Sequence, residues 1–288
     1  MDNARPVSQI LNRDWWEENP MTYDWEGTLR IEPGTREWYE ELDRRFLESA
    51  YYAKGTDGSP FGRFLKREHV AGKEVLEVGC GMGTHAAMLV RAGARLTAID
   101  LTSRSIEMTR QRFKLFGLSG RVEQADAERL PFQSNTFDLV WSWGVIHHSS
   151  STEKCLAEIR RVLRPGGRVV VMVYYRPSLV YYLHCALIRG IFLGQLLHRS
   201  LDEIYMSATD GFYARIFTKR ELKSLFEKHY EQVAVEVIGL KAELFPIPRC
   251  RLKAKMEEYA PDWLASAILS RLGSMVVVEA TKRRVPAA

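Results

Sequence analysis

The sequence predicts a doubly wound α/β domain, a mostly parallel sheet covered by helices on both faces. Three observations predict it. Short apolar runs alternate with amphipathic runs between residues 73 and 175, the rhythm of strand–helix–strand units. Some of the apolar runs, VVVMV among them, are continuous, as in strands buried on both sides. A glycine-rich turn joins the first strand-like run directly to the first helical one.

Taken in order, Lys73 to Gly79 (KEVLEVG) is a short strand, and His85 to Gly93 has helical spacing and closes on a glycine. Arg95 to Asp100 is again strand. Ser103 to Gly117 is helix, with Ser103 the expected N-cap and Gly117 the expected C-cap. There follow RVEQAD (strand), FDLVWSWG (strand), TEKCLAEIRRVL (helix) and RVVVMVYY (strand). After Tyr175 the rhythm breaks. Residues 176–217 are an insertion rich in Leu, Tyr and Ile, followed by a helix from Thr218 to His229. Val233 to Gly239 and Ser274 to Lys282 read as closing strands, separated by a second insertion, 240–273, with the sequence PIP at Pro246–Pro248. Four of the seven tryptophans, Trp15, Trp16, Trp25 and Trp38, precede the alternating core. The expected organisation is an N-terminal arm or cap over 1–70, a core over 71–176, a capping insertion over 177–217, and the remainder of the core over 218–288 with its own insertion at 240–273.

The 288 residues are 46% apolar and 27% charged, ordinary globular usage that excludes a disordered or fibrous chain. With 41 basic and 36 acidic residues the net charge is +5, a mild lean toward anionic partners. Cys80, Cys155, Cys185 and Cys250 are widely spaced, which fits neither a disulfide framework nor a zinc ribbon. The first twenty residues lack the basic start and apolar core of a secretory signal, so the expected setting is cytoplasmic. Ser178 to Leu197 is long enough to span a bilayer but is interrupted by His184, Arg189 and Gln195; an arginine at the centre of a span costs several kcal/mol. The segment reads as a buried or capping helix rather than a transmembrane one, with peripheral membrane contact as the alternative.

The strongest functional signal is EVLEVGCGMGTH, a strand running into Gly79-Cys80-Gly81-Met82-Gly83 and then into a helix. Glycines serve where a chain turns tightly and lets a ligand approach its backbone, and the helix N-terminus behind them offers unpaired N–H groups. The next strand ends in Asp100, 21 residues beyond Gly79, where a carboxylate accepts both hydroxyls of a ribose. The spacing is Gly-x-Gly-x-Gly, unlike the dinucleotide pattern G-x-G-x-x-G, and Glu77 stands two residues before it. With these residues the chain resembles the class I S-adenosylmethionine-dependent methyltransferases of the small-molecule, type 11-like group, whose first motif is an acid followed by such a loop. ADAERLPF (Ala125–Phe132), FDLVWSWGVIHH (Phe137–His148) and IRRVLRPGGRVVV (Ile159–Val171) resemble later motifs of that family in the right order. The resemblance covers residues 70–176 strongly and 215–282 loosely.

The resemblance implies a Rossmann-like sheet of seven strands, the last antiparallel, and S-adenosylmethionine as cofactor, leaving as S-adenosylhomocysteine. It further implies that Gly79, Cys80, Gly81 and Gly83 pass beneath the methionine part and that Glu77 supports its ammonium. Asp100 would hold the ribose, Leu101 and Ala127 would flank the adenine, Asp126 would accept from the adenine amino group, and the backbone of Trp141, Ser142 and Trp143 would face the methionine end.

Methyl transfer from a sulfonium is an in-line displacement in which the enzyme's contribution is alignment. It needs no metal, and a base only where the acceptor must lose a proton. His147 and His148, after the fourth strand, are the candidate bases, with Tyr174 and Tyr175 at the end of the fifth strand as further candidates. Tyr23, Tyr51, Tyr52, Tyr181 and Tyr182 crowd the same part of the sequence plan and suit a water-excluding pocket. Arg176 and Arg215 are candidate anion ligands or solvated arginines. Nucleic acid is the weaker substrate class. The end of the fourth strand reads Ser142-Trp143-Gly144-Val145 in place of the Asn/Asp-Pro-Pro-aromatic signature of amino-methylating nucleic-acid enzymes, and the basic pairs are scattered. The expected reaction is therefore methylation of a small, partly apolar metabolite at O, N, S or C. The reading from another class is a non-catalytic protein that senses the cofactor or its product, or assembles with a partner. The sequence sets neither the acceptor nor the oligomeric state.

Overall fold

The computed structural model describes residues 9–24, 29–53, 61, 62, 64–247 and 250–284; Trp25 and Pro248 lie outside them. Among the described residues, two α-helices precede the sheet, α1 (Gln9–Glu18) and α2 (Arg36–Ser49). The alternating core runs β1 (Glu74–Val78), α3 (Thr84–Arg91), β2 (Arg95–Asp100), α4 (Ser103–Phe116), β3 (Arg121–Gln124), β4 (Phe137–Trp143), α5 (Thr152–Val162) and β5 (Leu163–Tyr175). Next come a π-helical segment, Val180–Phe192, then α6 (Leu201–Met206), a two-residue β6 (Ile216–Phe217) and α7 (Lys219–Glu227). The chain closes with β7 (Tyr230–Ile238), α8 (Arg251–Tyr259), α9 (Asp262–Leu272) and β8 (Met275–Lys282).

The strands lie in the order β3-β2-β1-β4-β5-β8-β7, with β6 against the end of β5 as an eighth strand that the sequence pattern does not announce. β1 to β5 pair in parallel, and β8 runs antiparallel to both β5 and β7. Side chains of a strand alternate between faces, and the two halves of the core follow from it. Val75, Leu139, Trp141 and Val170 join Ala86 and Leu89 of α3 on one face. Leu76, Val140, Val169 and Val171 join Leu156 and Ile159 of α5 and Phe226 of α7 on the other.

Local chemistry sets the helix ends. Ser103 was the expected cap of α4, but the cap is Thr102, whose hydroxyl accepts from the Ser105 amide; Thr102 is also drawn back by Asp100, to which its hydroxyl donates at 2.8 Å. Gly117 closes the same helix at φ +61°, a left-handed position that glycine adopts without strain. α7 opens with a capping box between Thr218 and Glu221. β5 begins at Leu163, ahead of the apolar run, because Leu163 already pairs with Phe137 before the chain shifts register. Among the described residues, no helix is long and apolar enough to cross a membrane.

Candidate active site

β1 pairs with β2 on one side and β4 on the other, so consecutive crossovers leave in opposite directions and open a crevice at the strands' carboxyl ends. Ligands of open α/β sheets bind there. The loops after β1, β2, β3, β4 and β5 all line one cavity of about 520 Å³. β8 is antiparallel, so its first residue, Met275, meets the same edge. Residues from α1, from the 176–217 segment and from 240–253 complete the wall.

The glycine loop is braced from behind. The Gly79 and Cys80 amides both donate to the Ile99 carbonyl, at 2.8 and 2.9 Å, and the Thr109 hydroxyl donates to the Gly81 carbonyl at 2.9 Å. Arg112 is fully buried beneath the loop; it donates to the Met82 carbonyl and the Thr84 hydroxyl and pairs with Asp43. Gly79 lies at φ +83°, and a Cβ there would stand 2.2 Å from Val145 Cγ2. Gly81, at φ +51°, has nothing within 4 Å of its Cβ position and faces the cavity.

Two carboxylates flank this loop. Asp100 accepts from the Gly81 amide at 3.0 Å through one oxygen, and from the Thr102 amide and hydroxyl through the other. Burial nevertheless raises its pKa above the ordinary aspartate range, these hydrogen bonds opposing. Glu77 is 1% exposed, is not among the residues that line the cavity, and its Oε2 has no hydrogen-bond partner. Burial, then the Asp100 charge, push its pKa well above the usual value, with Arg112 opposing. A buried acceptor left without a donor is costly.

At the other side of β1, Leu101, Ala125 and Ala127 line the cavity. Asp126 accepts from the Gln9 side-chain amide at 2.9 Å and from the Glu128 backbone. The Gln9 carbonyl oxygen in turn accepts from the Ser150 amide at 3.0 Å, and Glu17 accepts from the Ser103 and Arg104 amides at the start of α4. α1 is thereby fastened over the ends of β2, β3 and β4.

The far end is apolar and aromatic. Trp143 lines it above Trp141, the two indoles stacked 4.9 Å apart at 4°; Trp141 itself is fully buried, and Ser142 faces away from the cavity among buried residues. Tyr174 reaches the cavity whereas Tyr175 falls on the opposite face of β5, among Val173 and Phe217. Of the two histidines, His148 lines the cavity and His147 does not. His147 is buried against His148 and Tyr174 with neither ring nitrogen hydrogen-bonded, and burial holds its pKa well below the ordinary value. His148 Nδ1 lies 2.7 Å from the Tyr213 carbonyl, which assigns the proton to Nδ1 and leaves Nε2 as the acceptor. Burial lowers its pKa to about 4, the carbonyl opposing.

Tyr23, Tyr52, Tyr205 and His184 also line the wall, whereas Tyr51, Tyr181, Tyr182 and His198 do not. Arg215 pairs with Glu153, and Arg176 stands 4.0 Å from Asp202; neither reaches the cavity. One lining residue that sequence reasoning passed over is Glu243. It accepts from the Leu240 amide, the Ser274 amide and the Ser274 hydroxyl at 2.7, 2.7 and 2.8 Å. Burial raises its pKa to about 7, against those bonds and the Lys253 charge. The one signal for it in the sequence is an isolated acid within the apolar stretch Gly239–Pro248.

Residues 76–171 match the family model described as a methyltransferase domain. Methyltransferase GfsG of Streptomyces halstedii is 38% identical over 104 residues, 35% of this chain and 37% of that protein. Demethylmenaquinone methyltransferase of Tropheryma whipplei (strain Twist) is 36% identical over 108 residues, 37% of this chain and 44% of that protein. The chain thus spans less than half the length of these curated relatives. A chain in the complex between the Haloferax volcanii Trm112 methyltransferase activator and a methyltransferase superposes with a TM-score of 0.54 at 17% identity, covering 87% of this chain and 96% of that one. At that identity the likeness concerns the fold alone.

Proposed function

We propose that this chain, which carries a class I S-adenosylmethionine-dependent methyltransferase domain over residues 76–171, transfers a methyl group to a small, largely apolar acceptor. The observation that carries the reading is the continuity of one cavity, from the glycine loop and Asp100 to a chamber lined by Trp143, Tyr174, Tyr205, Leu240, Phe245 and Ile247. The demethylmenaquinone methyltransferase among the relatives, named for an apolar acceptor, supports it.

The residues present fit the cofactor. Glu77, buried with an unpartnered oxygen, would hold the ammonium; the open face at Gly81 would admit the methionine part; Asp100 would exchange its loop contacts for the ribose hydroxyls; Leu101 and Ala127 would flank the adenine. When bound, the cofactor supplies an electrophilic methyl carbon on a sulfonium. The protein's own work is then alignment and exclusion of water. Trp143, seated on Trp141, gives a rigid wall, and α1 closes the cavity over His148 through Trp16, whose ring lies edge-on at 5.1 Å. For an acceptor that must lose a proton, Glu243 is the group best matched to neutral pH, since a general base works best with a pKa near the working pH. His148 Nε2 is a weaker base and is suited to accept a hydrogen bond that orients the acceptor.

Calorimetry with S-adenosylhomocysteine, followed by transfer assays with labelled S-adenosylmethionine on phenols, quinols, thiols, amines and nucleic acids, tests this. Expected are micromolar-order binding, weakened about tenfold or more by Asp100→Ala, and label transfer to an apolar acceptor. Binding without transfer to any acceptor would favour a sensor, and transfer to nucleic acid would replace the acceptor class.

A further inference from the structure

The segment after β5 carries a surface that the methyl-transfer reading does not use. Within Val180–Phe192 one side is anchored: Tyr181 and Cys185 are buried against Ile204 and Tyr205. The end of the segment is the opposite case. Ile191, Phe192, Leu193 and Leu197 are 63%, 75%, 66% and 81% exposed, and Leu196 folds back on Gly190, whose Cβ position lies 2.8 Å from Leu196 Cδ1. The turn at Gly194 therefore presents these side chains together as a projecting apolar tip. Single exposed apolar residues are ordinary, but a contiguous group marks an interaction surface.

Basic residues gather in the chain around the tip, the acids nearest in sequence being Asp202 and Glu203 of α6, with Asp202 4.0 Å from Arg176. Residues 176–200 contain Arg176, Arg189 and Arg199 and no aspartate or glutamate. α8 opens with Arg251, Lys253 and Lys255 before its first acid, Glu257. Lys253 and His184 line the same cavity, and the Lys253 charge bears on His184, so the basic start of α8 lies beside the Val180–Phe192 segment. Ile247, 39% exposed, lines the cavity next to them. The segment that ends in the tip thus reaches the acceptor chamber at His184.

We propose that the tip around Phe192 and Leu197, with its cationic flank, docks this protein on an anionic lipid bilayer and turns the acceptor end of the cavity toward the membrane. A bilayer of acidic lipids offers an apolar layer for the tip and negative headgroups for the arginines and lysines, the pairing that holds interfacial helices. A second copy of this chain, at net charge +5, would bring like charges to the same place, a penalised arrangement. Docking itself is independent of the methyl-transfer reading; only delivery of an acceptor from the bilayer rests on it.

The test is vesicle flotation of the full chain without cofactor, using phosphatidylcholine vesicles with and without 30% (about one lipid in three) phosphatidylglycerol. Expected is binding at least about tenfold stronger to the acidic vesicles, weakened by salt, and lost in Phe192→Ser/Leu197→Ser with thermal stability unchanged. Equal recovery with and without vesicles would overturn the proposal, as would binding that survives in the double variant. A concentration-dependent dimer that the double variant dissociates, with no flotation, would assign the tip to a second copy. Calorimetry with S-adenosylhomocysteine on the same samples separates failure of docking from failure of the cofactor site.

Discussion

Gln9 and Asp126 are joined by a 2.9 Å hydrogen bond across 117 residues of chain, and through it the first described helix is fastened to the loop that follows β3. Gln9→Ala removes this bond and the one to the Ser150 amide. Each is worth about 1 kcal/mol, so affinity for S-adenosylhomocysteine should fall by up to about thirtyfold, and proteolysis within α1 should accelerate in the liganded protein. Unchanged affinity by calorimetry would show that α1 covers the cavity without contributing to binding.

Glu77→Gln should separate stability from function. A carboxyl whose folded-state pKa stands above its unfolded value binds its proton more tightly in the folded chain. Its stabilising contribution is present at low pH and is lost as pH rises from the ordinary glutamate range through the raised pKa. Burial and the Asp100 charge raise Glu77 in this way. The amide removes that slope, so the ligand-free variant should match or exceed the parent's Tm at pH 8 while binding S-adenosylmethionine about tenfold or more weakly. A variant that loses stability at pH 8 and keeps its affinity would reverse the assignment.

The loop glycines should differ in kind. Gly79→Ala places a methyl 2.2 Å from Val145 Cγ2 at φ +83°, combining left-handed strain with overpacking, each of about 1–3 kcal/mol. Gly81→Ala meets nothing within 4 Å and should cost only the strain, about 1 kcal/mol, yet project into the cofactor's space. Thermal denaturation should therefore rank Gly79→Ala lower, whereas calorimetry should find folded Gly81→Ala impaired in cofactor binding.

Glu243 should govern the pH–rate profile when the acceptor carries a proton. With burial holding its pKa near 7, kcat should rise with pH through about 7 as the carboxyl deprotonates. Lys253 opposes that rise in pKa, and Tyr52 and Tyr205 are the phenols that feel the Glu243 charge. Glu243→Gln should lower kcat about 10²–10⁴-fold and flatten this limb while leaving cofactor affinity nearly unchanged. A profile identical to the parent's would return the proton-accepting role to His148 or to alignment alone.

The succession of core strands and helices along the chain and the place of the glycine loop were legible because both rest on local signals. Apolar runs of strand length, a helix period, and a glycine triplet before a helix all act within a few residues of one another. The antiparallel β8 came from resemblance rather than periodicity, because nothing local tells a strand which way its neighbour runs. β6 has no local signal for a similar reason: two residues, Ile216 and Phe217, are strand only because the end of β5 offers them partners.

By itself the sequence determined that a tight glycine turn at Gly79 and a strand-end acid at Asp100 stand one helix and one strand apart, the spacing from which a nucleoside site is expected. Only the tertiary structure decided which neighbours share a chamber. Adjacent Tyr174 and Tyr175 part to opposite faces because a strand alternates. Adjacent His147 and His148 differ because one ring is enclosed by its neighbour and Tyr174 while the other is turned by the Tyr213 carbonyl. Glu243 acquires its properties from Ser274, 31 residues away, and from the burial that closing strands impose. Proton affinity and access are set by what surrounds a side chain in space, and those surroundings are assembled by packing between segments that the local pattern treats as unrelated.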